Sequence, residues 1–458
     1  MKYLLPVILF CGFFTSTEAQ QEDSIFIKRL SEEILVNSKA YENLRVLTKQ
    51  IGGRLAGSPQ MVKSEKWGLK AMQDAGAQNA WLQECMVPYW VRGGKDQATA
   101  QYKQGQKNLV KPLDIVALGN SKGSGSKGVS AEVIEVKNFE ELESRKEEIK
   151  GKIVFYNVKF NEAYVRTFES YRDAVGYRGA GPSRAAKYGA AAVIVRSMSH
   201  STDNNPHTGS TRYDTAYPMI PAVAIGLRDA DWLSTALQQQ SMKVTLKTHG
   251  YFKPDTIGHN VIGELRGSEF PDEYITVGGH LDSWDNCEGA HDDGAGCVQT
   301  IEILRAFKAL GYQPKRTIRF VLFANEENGL RGGNKYADEA KAKGEKQIFA
   351  LESDAGGFTP RGFGFTVSDE QFEKIMTWQK LLAPLGASEL TRGGGGADIG
   401  PLNRSQKTPV AGLSPDSQRY FDLHHARNDV FEAVNKRELD LGALNMAALV
   451  YLVDKYGL

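Results

Sequence analysis

Tyr274-Ile-Thr-Val-Gly-Gly-His280-Leu-Asp282-Ser-Trp-Asp-Asn-Cys-Glu-Gly-Ala-His291-Asp292-Asp293-Gly-Ala-Gly296 changes character twice along its length. It opens as an apolar, β-type run that ends in two glycines and His280, with Asp282 two residues later. A polar loop then leads to Asp292 and Asp293, with Gly294 and Gly296 behind them. Beyond Gly296 the apolar residues Cys297, Ile301, Leu304 and Phe307 recur at helical spacing. An imidazole and several carboxylates thus sit between a buried strand and a helix. In an open α/β sheet, that is the edge at which ligands bind.

The same arrangement recurs further along the chain. The apolar run Arg319–Ala324 ends in Asn325-Glu326-Glu327-Asn328-Gly329, and Ile348–Leu351 ends in Glu352-Ser353-Asp354-Ala355-Gly356-Gly357. Pro409–Leu413 leads toward His424-His425-Ala-Arg-Asn-Asp429. Polar residues end most strands, so one such coincidence means little. Four strand-like segments that all end in metal-ligand side chains point to a dinuclear zinc site. Zinc accepts His nitrogen and carboxylate oxygen and, in catalytic sites, keeps a position open for water. Two such ions, about 3.5–4 Å apart, polarise a carbonyl and activate water together. Three ligand carboxylates and a hydroxide would balance their charge. A further carboxylate is needed to take the proton of water and pass it to the leaving amine. The neighbours Glu326 and Glu327 can divide these tasks, one side chain facing metal and the other facing water.

Composition narrows the function classes. The 458 residues exceed one ordinary domain, and 41% hydrophobic residues suffice for large cores. With 56 Lys and Arg against 55 Asp and Glu, the net charge of +1 gives no reason to expect nucleic acid or an anionic membrane as partner. Met1-Lys2, the apolar stretch Tyr3–Phe14 and the Thr17-Glu18-Ala19 pattern read as a secretory signal over residues 1–19, so export to periplasm or medium is expected. The apolar core is too short to span a bilayer. Cys85, Cys287 and Cys297 would remain, an odd number that permits at most one internal disulfide. Cys287 lies in the metal loop but is read as a thiol and not a ligand.

Residues 22–50 read as helix, Val62–Ala75 as a second amphipathic helix after the turn Ile51–Pro59, and Trp81–Val91 as a strand. From Asp114 the pattern shifts to alternating strands and helices. Residues 114–250 are therefore expected to form a separate α/β module between catalytic parts at 20–113 and 251–458. Within that module His200 and His207 lie in a Ser/Asn/Pro-rich loop and read as solvated. Thr391-Arg-Gly-Gly-Gly395-Gly396-Ala-Asp398 lacks the Lys-Ser/Thr of a P-loop and reads as a flexible loop facing substrate, with Gly395, Gly396 and Asp398 as contacts. Lys436–Tyr456 reads as a helix capped by Asn435.

The motifs His280-Leu-Asp-Ser-Trp-Asp285, Asp292-Asp-Gly-Ala-Gly296, Asn325–Gly329, Glu352–Gly357 and His424–Asp429, in this order, resemble the M28 co-catalytic zinc peptidases. Gly151–Tyr156, Lys187–Val195 and Ile220–Ile225 resemble a protease-associated domain. The resemblance spans nearly all of the chain after the leader. It implies an α/β fold of the zinc aminopeptidase, phosphorylase/hydrolase-like kind: a mixed central sheet flanked by helices, with an inserted α/β protease-associated domain. It implies two zinc ions, one held by His280 and Asp354, the other by Glu327 and His425, with Asp292 bridging. Glu326 would be the general base and acid, and Asp282 would orient His280. His425 is preferred to His424 because it precedes Asp429 by the family's four-residue spacing; His291 has no expected role. Short peptides are the implied substrates, and a homodimer is left open. A single-zinc glutaminyl cyclase and a non-catalytic receptor module share such a fold. The full ligand set and the Glu base argue against both.

Overall fold

The computed structural model describes residues 14–458. The apolar core of the expected leader, residues 3–13, lies outside the described residues, and Thr17–Ala19 fall in a helix that runs Phe14–Asn37. The expected helix over 22–50 is interrupted. Ser38 Oγ accepts the N–H of Ala40, and a second helix starts there, Ala40–Arg45, and continues as a wider turn to Ile51. The helix Pro59–Asp74 is capped by Ser58, whose hydroxyl accepts the Met61 N–H at 3.1 Å.

The strands in chain order are β1 (Asn79–Val91), β2 (Gln97–Gln104), β3 (Lys107–Leu113), β4 (Ile115–Ala117), β5 (Val129–Val136), β6 (Ile153–Tyr156), β7 (Ala192–Arg196), β8 (Ala222–Ile225) and β9 (Lys243–Lys247). They continue with β10 (Tyr251–Leu265), β11 (Phe270–His280), β12 (Arg316–Phe323), β13 (Lys346–Glu352), β14 (Pro360–Thr366), β15 (Glu389–Arg392) and β16 (Val410–Pro415). They form two eight-stranded sheets, ordered β1-β10-β12-β11-β13-β16-β14-β15 and β3-β2-β9-β5-β6-β7-β8-β4. β2 pairs with β9 in the second sheet and β3 pairs with β2 at its edge, so that sheet begins at Gln97, earlier than the expected boundary at residue 114. Their alternating polar pattern gives no local sign of which sheet they join.

The centre of the first sheet positions the site. β12, β11, β13 and β16 lie side by side and parallel, while β10 and β14 run antiparallel on either side. Their inner residues, such as Ile275, Val277, Phe320, Leu322, Phe349 and Leu351, are fully buried, as expected where helices cover both faces. The helix Ala295–Ala309 packs on one face together with Lys436–Tyr456. Asn435 caps the latter by accepting the N–H groups of Arg437 and Glu438. Four parallel strands therefore deliver their carboxyl ends to one edge, with His280 opposite Phe323 and Gly278 opposite Glu352 in register. Among the described residues no helix is long and apolar enough to cross a membrane.

Candidate metal centre and active site

His280 ends β11. Its backbone N–H donates to Asp293 Oδ2 at 3.0 Å, and its Nδ1 faces the backbone carbonyl of Asp282 at 3.0 Å. That leaves Nε2 pointing outward, 3.2 Å from Asp292 Oδ1 and 3.3 Å from Asp354 Oδ1. On the other side of Asp292, Oδ2 lies 3.2 Å from His425 Nε2, which is itself 3.1 Å from Glu327 Oε2. The structure thus brings His280, Asp292, Glu327, Asp354 and His425 together, with the two oxygens of Asp292 facing opposite imidazoles. His424 stacks on His425 at 3.6 Å between ring centroids, but its Nε2 stays 3.7 Å from Asp292 Oδ2 and meets no second carboxylate.

The loop that carries Asp292 is held from below. Asp429 accepts the N–H groups of His291 (2.8 Å) and Asp292 (3.2 Å), and Asp293 Oδ1 accepts that of Gly296 (2.9 Å). A Cβ on either Gly279 or Gly296 would come 2.4 Å from Asp293 Oδ2, which is why small residues flank this carboxylate. Arg54, fully buried, donates to the backbone carbonyls of Leu281, Glu288 and Gly289 and so ties down the loop after β11. The sequence reading missed Arg54, because the turn Ile51–Pro59 carries no pattern that tells a buried Arg from a surface one. His291 bridges instead of facing a ligand. Its Nδ1 accepts the Gly357 N–H, its Nε2 faces the Ala433 carbonyl, and its ring stacks on Phe358 at 4.2 Å.

Asp282 has partners other than those expected. Its carboxylate lies 3.9 Å from His280 Nδ1, which instead meets the Asp282 carbonyl. The two carboxylate oxygens accept the backbone N–H groups of Glu326 (3.0 Å) and Glu327 (3.3 Å). Asp282 therefore holds the turn after β12 and positions both glutamates. The Gly395–Asp398 segment is also not the open loop expected. Asp398 is fully buried, and a Cβ on Gly396 would lie 2.0 Å from the Glu352 carboxyl carbon. Glu352 accepts the N–H of Ile399 at 2.9 Å, so the segment is fastened to the end of β13. One further correction concerns the second-sheet region. His207 is buried and not solvated, because its loop docks on the catalytic segment, where the Thr208 N–H donates to the His425 carbonyl. Cys85, Cys287 and Cys297 are all free thiols.

The electrostatics follow from crowding acids and imidazoles out of water. Burial alone would depress His280, but Asp354 and Asp292 outweigh it and hold the imidazole well above its usual range. Burial likewise opposes His425, and Glu327 and Asp292 raise it to about 9. Burial and Asp292 lift Glu327 to about 7, while burial with the charges of Asp354 and Glu327 raises Glu326 well above an ordinary carboxylate. Asp292 goes the other way: burial is overcome by His280 and His425, which keep it ionised. Glu326 is partly buried and directed by the same turn as the buried Glu327. The arrangement offers acceptor groups for cations and one carboxyl group free to handle a proton.

Comparison with known proteins gives the family and the fold. Residues 260–450 match the family model described as Peptidase family M28. Carboxypeptidase Q of Mus musculus is 33% identical over 417 residues, covering 91% of this chain and 86% of that protein. The crystal structure of a peptidase M28 precursor from Shewanella amazonensis superposes with a TM-score of 0.89 at 31% identity, over 95% of this chain and 97% of that one. A zinc aminopeptidase from Bacillus subtilis shares the fold, with a TM-score of 0.64 at 22% identity over 91% and 95% of the chains. Fold and family together define an enzyme of the metallo-exopeptidase class, on a mixed sheet flanked by helices. The chain belongs to peptidase family M28.

Proposed function

We propose that the chain is an exported exopeptidase that holds two zinc ions and hydrolyses short peptides, with Glu326 as general base and residues 97–247 as an inserted protease-associated domain. The observation that carries the reading is the position of Asp292, with each oxygen 3.2 Å from a different imidazole Nε2. The residues fit the ions. Asp292 Oδ2 and Glu327 Oε1 are buried without hydrogen-bond partners among the described residues, and such orphaned acceptors are costly unless a cation meets them. Two imidazoles and three carboxylates are also a donor set that zinc accepts. His280 and Asp354 would hold one ion, Glu327 and His425 the other, and Asp292 both.

When bound, the ions would polarise the scissile carbonyl and make the attacking water more acidic. The protein's own groups supply the rest. Glu326 takes the proton of the water as it adds to the carbonyl carbon and returns it to the nitrogen of the departing amine, so one carboxyl group serves as base and then acid. Asp282 keeps Glu326 and Glu327 on their separate sides by accepting both backbone N–H groups. Asp429 and Asp293 keep Asp292 between the imidazoles. The apolar leader-like stretch Tyr3–Phe14 supports export.

Purified protein assayed on a dipeptide library, with elemental analysis alongside, tests the proposal. Dipeptide turnover with two equivalents of zinc, abolished by exhaustive chelation, is the expected result. Activity that survives chelation, or full activity with one equivalent, would overturn it.

A further inference from the structure

Two side chains from the second-sheet region reach the His424–His425 segment with donor capacity that the proposed mechanism leaves unused. The helix Thr167–Gly179 presents Tyr171 and Arg178, which lie two turns apart and so on one face. Arg178 is buried and makes no ion pair among the described residues. Its Nη2 donates to the Tyr171 hydroxyl at 2.6 Å, and its Nε is buried with no partner. Its Nη1 lies 3.3 Å from His425 Nδ1. That nitrogen is an equal 3.3 Å from the Thr208 carbonyl. If Nε2 is given to a metal, Nδ1 carries the proton and donates it to Thr208, so the guanidinium finds no acceptor on the ring. Tyr171 is then the one acceptor Arg178 uses.

Tyr171 is placed by the segment that carries His425. Its ring stacks on Phe421 at 4.9 Å and meets His424 edge-on at 5.3 Å. Its oxygen already accepts from Arg178, no acceptor among the described residues takes its own proton, and the group is half-buried, not sealed. Burial, reinforced by the negative charges of Glu326 and Asp292 and opposed by Arg178, raises the phenol above its usual range and keeps it protonated. A hydroxyl that accepts from a guanidinium is a stronger donor in turn.

We propose that Tyr171, held and polarised by Arg178, donates a hydrogen bond to the scissile carbonyl oxygen as that oxygen becomes an oxyanion. The second-sheet region then contributes a side chain to the active site. No bond to Tyr171 forms or breaks; its proton stays on its own oxygen while the hydrogen bond strengthens in the transition state. Tyr171 is a catalytic residue in this account and Arg178 a positioning residue. The proposal rests on the peptidase reading above, and the test separates the two.

The experiment compares the zinc-loaded wild type with Tyr171→Phe, Arg178→Lys and the double variant. It measures kcat and KM on a dipeptide, zinc content, thermal midpoint, and calorimetric affinity for a dipeptide phosphinate and for the product amino acid. Loss of one oxyanion donor predicts a fall in kcat of about 10²–10³-fold in Tyr171→Phe, with a parallel loss of phosphinate affinity. Zinc content, KM and product affinity stay near wild type. Arg178→Lys lowers kcat alone but adds little in the Tyr171→Phe background, because its effect passes through the hydroxyl. Unchanged kcat and phosphinate affinity in Tyr171→Phe overturn the proposal, as does a kcat loss that tracks a loss of zinc. A wild type that neither cleaves dipeptides nor binds the phosphinate overturns the peptidase reading itself.

Discussion

Asp282→Asn separates two roles for one carboxylate. Asp282 is fully buried, and its two oxygens accept the backbone N–H groups of Glu326 and Glu327 at 3.0 and 3.3 Å. Asn has the same shape but turns an NH2 group toward one of those donors. One hydrogen bond to a charged group is lost, about 1.5–3 kcal/mol, and the buried donors left facing each other cost about 1–3 kcal/mol more. The turn can relieve the clash only by moving both glutamates. Denaturant unfolding should therefore show a loss of about 3 kcal/mol or more. In a dipeptide assay kcat/KM should fall about 10–100-fold, equal to ~1.4–2.8 kcal/mol of transition-state stabilisation. His280 should keep its orientation, because its Nδ1 meets the Asp282 carbonyl oxygen, which the substitution leaves in place. Anomalous scattering at the zinc edge should show weaker occupancy beside Glu327 than beside His280. A variant of wild-type stability and activity, or one emptied first beside His280, would refute the reasoning.

Glu326→Gln should retain its zinc and lose about 10²–10⁴-fold in kcat, since Gln is nearly isosteric but cannot take the proton of water; near wild-type turnover would assign the base elsewhere. His207 should make the protein acid-sensitive. It is buried, both ring nitrogens lack partners among the described residues, and burial depresses its pKa to about 4, so the folded state holds it neutral. The stability this contributes is fully present above the unfolded value near 6.5 and is lost as pH falls through that value toward 4. Between pH 7 and 5 the loss is about 2 kcal/mol, and His207→Leu should remove that share from denaturant unfolding curves; a variant as acid-sensitive as the wild type would exclude His207 as the cause.

Local chemistry made much of this chain legible. The apolar run into Gly278 and Gly279, and the helical spacing after Gly296, define a strand and a helix through contacts between near neighbours, and the structure has β11 and Ala295–Ala309 there. The Asn435 cap was readable for the same reason, since an N-cap is completed within three residues. Acids and imidazoles at the ends of four apolar runs also announced a site, because parallel strands put their carboxyl ends on one edge. The M28 resemblance stood on those same motifs.

What required the tertiary structure was every question of which partner a side chain meets. The chain carries both His424 and His425, but only the folded backbone shows that His425 Nε2 faces Asp292 and Glu327 while His424 stacks behind it. Asp282 looked like a partner for the His280 ring, yet its oxygens meet N–H groups more than 40 residues away. Asp398 and the glycines before it looked flexible because glycine runs permit flexibility; Glu352, 46 residues before Asp398, accepts the Asp398 N–H and lies against Gly396, so the end of that run is close-packed instead. The same holds for β2 and β3, for His207, and for Tyr171 and Arg178, which lie some 250 residues before the catalytic segment they touch. Periodicity, caps and turns are set by atoms a few residues apart, so the sequence by itself determined the elements and the kind of chemistry at their ends. Burial, ionisation and hydrogen-bond partnership depend on surfaces that meet only when distant segments pack, and those the tertiary structure alone decided.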